Sequence, residues 1–366
     1  MKKMGIWLVL AAMMVGMLSA AAAERKEIVP DMELELSEEI TAGIEKTHPF
    51  EEGIAPLTGL PASGEKYTPI ALILDNSPEV YPHWGVAQAD WLIQVPLRRD
   101  GGTRMMAIYG NEYPAQAGGA RSTRMTNLPV AVMFHAALAY AGHAPVQEDN
   151  VRVEKWIDEW DYNKRIRYYD LLTKKYSERV DFLQKPQNLS AHVDGMHADL
   201  IKRDLKFDNR GFLFTDEPLT RGDDALQIDL KYFSILDADD IKEGKTPVEN
   251  GNAACSFEYK DGQYLRTSKT GLYTDRDTGE AVTFSNVIIM RTKVEWEGNY
   301  PYYFNHLKTC GQAEIYQNGK HITGAWYRAG RLTRLVLLDE NGQEISLQRG
   351  RTYMAIADEN LVVSYE

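Results

Sequence analysis

The chain has 366 residues, 44% of them hydrophobic and 26% charged, and its 53 acidic side chains outnumber 41 basic ones for a formal net charge of −12. That acid excess excludes general nucleic-acid binding, which rests on basic patches that neutralise phosphates. The length suits two domains, enough chain to bury a sizeable core without metals or many disulfides.

Residues 1–23 read as a secretory signal. Lys2 and Lys3 form a basic start, Gly5 to Leu18 an apolar stretch, and Ala20 to Ala23 the small residues that a signal peptidase needs. The apolar stretch is short for a membrane span, and no later run is long and apolar enough for one. An uncleaved anchor is the alternative. Cleavage near Ala23 removes two lysines, takes the formal charge to −14 and leaves a secreted or envelope protein with no direct membrane span. No cysteine stands near the cleavage point to carry a lipid. Residues 24–55 form an acidic arm, expected to be a solvated spacer with a short helix near Ser37–Lys46.

Residues 56–220 mix strands and helices. Thr68–Asp75 is a continuous apolar run, the pattern of a buried strand. Ala89–Leu97 and Thr103–Gly110 predict two strands around the turn "RRDGG". Ser122 or Thr123 is expected to cap a helix that Pro129 restarts or kinks. "AALAYAG" predicts another strand. Val153, Trp156, Ile157 and Trp160 share one face of a helix, with more helix expected over residues 166–183 and 195–205.

Residues 221–366 change character. Asp261-Gly262, Asn318-Gly319 and Asn341-Gly342 each stand between alternating strands, and such dipeptides supply the positive φ angles of tight hairpins. The fold class is α+β: a mixed-sheet α/β N-terminal domain followed by an antiparallel β-rich C-terminal domain. Cys255 and Cys310 are either one disulfide or two free thiols.

The site reading starts from a repeated form. Gly101-Gly102-Thr103-Arg104 and Gly118-Gly119-Ala120-Arg121 both place two glycines before an arginine, and Ser122, Thr123 and Arg124 follow the second. Glycine amides in a turn can form an anion nest, and a helix start adds a positive dipole end. Arg121 and Arg124 in a first helical turn oppose that dipole, which suggests that they grip a phosphate or carboxylate. The alternative is structural ion pairing with Asp75, Asp90 or Asp100. Both readings stay open on the residues alone.

A catalytic reading, a phosphotransferase or hydrolase acting on a lipid-linked phosphate, draws on Asp75, Asp90 and His143 as base or proton carrier. No P-loop, dinucleotide fingerprint or Gly-x-Ser-x-Gly elbow occurs, so no cofactor is implied. His192, Asp194, His197 and Asp199 lack the spacing of a zinc helix. They predict a loop into a helix capped by Asp194, with no metal. A third reading is an interaction module in which the β-rich half docks a protein.

"PLTGLP", "PIALILDNSP", "GVAQADWLIQ", "GGTRMMAIYG" and "GGARSTR", in that order, resemble the YerB-like proteins (domain of unknown function 3048). "SNVIIMRTKV", "ITGAWYR" and "LQRGRTYMAI" are similar to the β-rich C-terminal part of that family. The family's members are exported bacterial envelope proteins, commonly lipoproteins. Asp100 stands here for the family's glutamate, Gly119-Ala120 for Pro-Val, and Gln187 for the histidine of P-H-N-L. The lipid-bearing cysteine is absent. The resemblance supplies no activity. It implies a shared cleft built by Asp75, Asn76, Arg104, Arg121 and Arg124; the expected partner is an anionic cell-wall ligand or an envelope protein.

Overall fold

Strands from both halves of the chain share one eleven-stranded sheet. The computed structural model describes residues 25–144, 146, 148–159, 167–303 and 309–366; the expected signal segment and Trp160 lie outside these. The sheet runs in the order Asp223–Asp224, Lys320–Tyr327, Cys310–Gln317, Asn286–Arg291, Thr352–Ala357, Trp91–Pro96, Thr103–Tyr109, Ile70–Leu74, Ala137–Tyr140, Tyr168–Asp170. Val336–Leu338 joins it beside Lys320–Tyr327. At the middle, Thr352–Ala357 lies parallel to Asn286–Arg291 on one side and to Trp91–Pro96 on the other.

Both faces of this sheet are covered. Ile70, Leu72 and Leu74 enter one core, which continues into Ile228, Leu230 and Phe257 of a seven-stranded sheet. Ala71 and Ile73 enter a second core, with Leu128, Val130 and Phe134 of the short helix region behind it. Burial on both faces is why Ile70–Leu74 reads as an unbroken apolar run rather than an alternation. A three-stranded sheet, Ala117–Gly118, Leu189–Ala191 and Ser177–Arg179, stands apart from both.

The structure is mostly β with some helices, a strand-rich form of the expected class. Where residues 166–183 were expected to be helical, Tyr168–Asp170 is a strand, Leu171–Thr173 one 3-10 turn, and Ser177–Arg179 another strand. Tyr169 pairs opposite Ala139 on the open edge of the large sheet, and the Asp170 side chain accepts from Leu172 N and ends the strand. An aromatic pair at a sheet edge overrides a weak helical pattern. The helix Val193–Lys202 forms as expected, but its cap is His192, and Asp194 sits inside the first turn.

The helix expected from Ser122 or Thr123 begins instead at Asn127 and ends at Met133. Asn127 Oδ1 accepts from Arg124 N at 2.7 Å, holding the lead-in extended. Pro129 falls in the first turn, where its missing N–H costs nothing. Arg121 and Arg124 therefore precede the helix.

The arm is not a spacer. Lys26–Glu27 adds a strand beside Leu361–Tyr365. Leu34, Leu36, Ile40 and Ile44 pack on Ala325, Val336 and Leu338. Ser37 caps the short helix Glu38–Thr41. Alternate apolar residues in an acidic sequence gave the arm a buried side.

Two of the three expected hairpins form. Asp261 and Gly262 have φ of 51° and 83°, Asn318 and Gly319 have 55° and 68°, as two-residue turns require. Around Asn341-Gly342 the chain folds back only briefly, with one bridge, Leu338 with Glu344, and the Ile345 N–H donating to the Leu337 carbonyl, before Leu347–Gln348 pairs with Phe214–Thr215. Both cysteines are free.

Candidate functional site

Asp75 stands where the strand Ile70–Leu74 ends. Its N–H donates to the Gly119 carbonyl at 3.0 Å. Its own carbonyl accepts from His83 Nε2 at 2.8 Å, while His83 Nδ1 lies 3.0 Å from the Tyr273 hydroxyl. A neutral imidazole that donates from Nε2 must accept at Nδ1. Burial holds His83 in that neutral state by pushing its pKa down to about 4.

The carboxylate so placed meets two guanidinium groups. Arg104 Nη1 donates to Asp75 Oδ1 at 2.9 Å, and Arg121 Nε lies 2.9 Å from Oδ2. Arg104 is the second residue of the strand Thr103–Tyr109, opposite Val95. Arg121 comes from the segment bound through its N–H to the Ile73 carbonyl. The two Gly-Gly-x-Arg stretches thus converge on one acid.

Three of the four glycine amides expected to form an anion nest donate within the protein instead. Gly101 N donates to the Arg98 carbonyl and Gly102 N to Asp100 Oδ1, so both amides are used inside the turn. Gly118 N donates to the Trp84 carbonyl. The second pair is glycine because neighbours approach too closely for a side chain. A Cβ on Gly118 would sit 2.3 Å from the Trp84 ring, and one on Gly119 would sit 2.0 Å from the Gln187 carbonyl.

These elements wall a cleft of about 440 Å³. Arg98, Arg104, Arg121 and Arg124 line it, with the carboxylates of Asp75 and Glu79 and the amides of Asn76, Gln187, Asn250 and Asn252. Burial pulls Arg104 down to about 10, the attraction of Asp75 opposes this, and the charges of Arg121, Arg124 and Arg98 add to it. Arg124 is likewise lowered by burial and by Arg121 and Arg98. Among the described residues Arg124 pairs with no carboxylate. Its Nη1 donates to the Thr123 carbonyl at 2.8 Å, its guanidinium lies 5.7 Å from the Tyr300 ring centre, and its buried Nε has no partner. Crowded guanidiniums with an unfilled donor offer a place for an oxyanion.

The other expected residues lie elsewhere. Ser122 is half-buried and does not line the cleft. Asp90 sits at the opposite end of its strand from Arg104, where it accepts from Gly110 N at 2.7 Å, and burial raises its carboxyl to about 7. His143 faces Glu154 at 2.9 Å. Asp90 thus lies apart from Asp75, and neither Asp90 nor His143 lines the cleft. His197 contacts Thr68 Oγ1 at 2.7 Å and stacks on Tyr113, Asp199 binds Tyr169 and Arg203, and His192 faces Glu178. Asn250 and Asn252 had no signal in the sequence. Their loop is tied down by Gln94 Nε2 donating to the Ala253 carbonyl at 2.9 Å and Asn250 Nδ2 donating to the Asp100 carbonyl at 3.0 Å.

Residues 57–206 match the N-terminal domain, and residues 245–354 the C-terminal domain, of the family described as Protein of unknown function (DUF3048). The chain belongs to this family. It is 22% identical over 361 residues, 96% of this chain and 95% of the relative, to the Bacillus subtilis (strain 168) protein named "Putative lipoprotein YerB". The crystal structure of YerB protein from Bacillus subtilis is similar with a TM-score of 0.66 and 21% identity, covering 85% of this chain and 99% of that one. At that identity the likeness is one of fold. Within the DUF3048 frame the four cleft arginines fall in the N-terminal region, and Asn250, Asn252 and Ala253 in the C-terminal one. Among the described residues no helix is long and apolar enough to cross a membrane.

Proposed function

We propose that this is an extracytoplasmic envelope protein that binds an anionic, polar ligand in the arginine cleft, a phosphorylated or carboxylated saccharide of the cell wall. The signal-like N-terminus and the name of the Bacillus relative support the location. The observation that carries the ligand class is Arg124, half-buried with an unpartnered Nε and no carboxylate beside it among the described residues.

A charge count narrows the ligand. The four cleft arginines face Asp75, Glu79 and Asp100, the last paired to Arg98 at 3.0 Å. One positive charge remains, which suits one oxyanion group better than a polyphosphate. Gln187, Asn250 and Asn252 offer polar groups for sugar hydroxyls. Leu97 and Ala253 are the apolar residues lining the cleft, too little surface for an acyl chain.

The test is thermal unfolding of the protein with inorganic phosphate, glucose 6-phosphate and glucuronate. A ligand at a hundred times its Kd adds about 2.7 kcal/mol of stability. The shift is expected in the native chain and lost in Arg121→Ala/Arg124→Ala. A shift of equal size in the double variant refutes the cleft as the site.

A further inference from the structure

Beneath the cleft, between the two large sheets, lies a charge that none of these roles uses. Arg266, in the strand Gln263–Ser268, is 1% exposed. Its Nε and Nη1 have no hydrogen-bond partner, and among the described residues it makes no ion pair. Three tyrosine rings enclose it, with Tyr273 at 5.0 Å, Tyr353 at 5.7 Å and Tyr81 at 5.8 Å from its guanidinium carbon. Such cation–π contacts offset part of the cost of burying the charge.

Two of these tyrosines connect the charge to the cleft. The Tyr81 hydroxyl is hydrogen-bonded to Arg266, and a hydroxyl beside a cation turns its oxygen toward the charge and its proton away; the Tyr353 ring lies over the same charge, with its hydroxyl also 3.8 Å from Cys255 Sγ. Tyr81 donates to Asn76 Oδ1, and Tyr353 donates to Gln94 Oε1. With both carbonyl oxygens taken, the amide N–H groups face onward. Asn76 Nδ2 donates to Thr103 Oγ1 at 2.7 Å, and Gln94 Nε2 donates to the same oxygen at 2.8 Å. A hydroxyl oxygen has two lone pairs, and both are filled. Thr103 keeps only its proton to give, and it lines the cleft beside Arg104.

We propose that the Thr103 hydroxyl is a ligand-binding donor to the oxyanion, and that Arg266 is the positioning residue which fixes its direction through Tyr81–Asn76 and Tyr353–Gln94. This rests on the cleft being an anion site and deepens it. A floor that can only donate accepts phosphate or carboxylate oxygens and rejects a group that must itself donate. Hydrogen bonds chained in this way polarise one another in a low-dielectric interior.

The experiment is calorimetric titration of the full mature chain with inorganic phosphate and glucose 6-phosphate. Thr103→Val keeps the shape and removes the proton, and its affinity is expected to fall about tenfold for both probes. Thr103→Ser restores the proton and is expected to return the affinity to near the native value, which a merely structural role for Thr103 would not produce. Tyr81→Phe/Tyr353→Phe frees the two amides to turn, and is expected to weaken binding severalfold while its melting curve stays cooperative. Native binding in Thr103→Val, alongside lost binding in Arg121→Ala/Arg124→Ala, overturns this inference and leaves the cleft standing. Native binding in Tyr81→Phe/Tyr353→Phe overturns the relay from Arg266. A native chain that binds neither probe overturns both readings.

Discussion

Arg104 and Asp75 meet at 2.9 Å with side chains 5% and 7% exposed, and Arg121 faces the other oxygen of the same carboxylate. One acid serves two bases, so its removal strands two charges. Asp75→Asn is expected to cost about 3–5 kcal/mol, the penalty for breaking a buried pair. Arg124→Ala breaks no ion pair among the described residues and is expected to change stability by about 1 kcal/mol or less. Urea unfolding of both variants checks this, and an Asp75→Asn protein as stable as the native one contradicts it.

Stability against pH carries two opposite signatures. Burial lowers His83 to about 4 from its usual 6.5, so the unfolded chain takes up the proton first. The stability due to His83 is whole above pH 6.5 and is lost as pH falls through 4. Burial raises Asp90 to about 7 from 3.8, so there the folded state holds the proton longer. Its contribution is whole below pH 3.8 and is lost as pH rises through 7. Asp90→Asn is expected to stabilise relative to the native chain at pH 8 and to lose that advantage at pH 4. His83→Gln is expected to flatten the acid side. Melting temperatures from pH 4 to 8 read both, and parallel curves for the native and Asp90→Asn chains refute the carboxyl's raised pKa.

The second glycine pair has less room than the first. Gly119→Ala forces a methyl against the Gln187 carbonyl, backbone that cannot swing aside, and displaces the carbonyl that holds Asp75. A loss of about 2–3 kcal/mol is expected, with weaker anion binding. Gly102→Ala meets only side-chain atoms of Asp100 and Arg98, and is expected to cost about 1 kcal/mol or less. Thermal unfolding ranks the two, and the reverse order contradicts the close-approach argument.

Much of the strand content was legible because it rests on local rules. Ile70–Leu74 declared itself by apolar residues that both faces of a covered sheet require. Asp261-Gly262 and Asn318-Gly319 declared their hairpins by the φ angles that few other residues adopt. Asn341-Gly342 carries the same signal, yet the strand after it pairs with Phe214–Thr215, since a turn sequence does not choose among distant partners. Tyr168–Asp170 was misread for a like reason: the edge it completes belongs to Ala137–Tyr140, outside any local window.

The sequence by itself determined that two Gly-Gly-x-Arg stretches would lie in loops next to buried strands, and that their arginines would meet an acid or an anion. Tertiary structure decided which of them meet an acid: Asp75 holds Arg104 and Arg121, while Arg124 is left to Tyr300. It also decided that Asn250 and Asn252 complete the wall and that Arg266 lies beneath the floor. Those residues come from strands and loops more than a hundred positions away, and only the closing of the two sheets on each other brings them within hydrogen-bond reach.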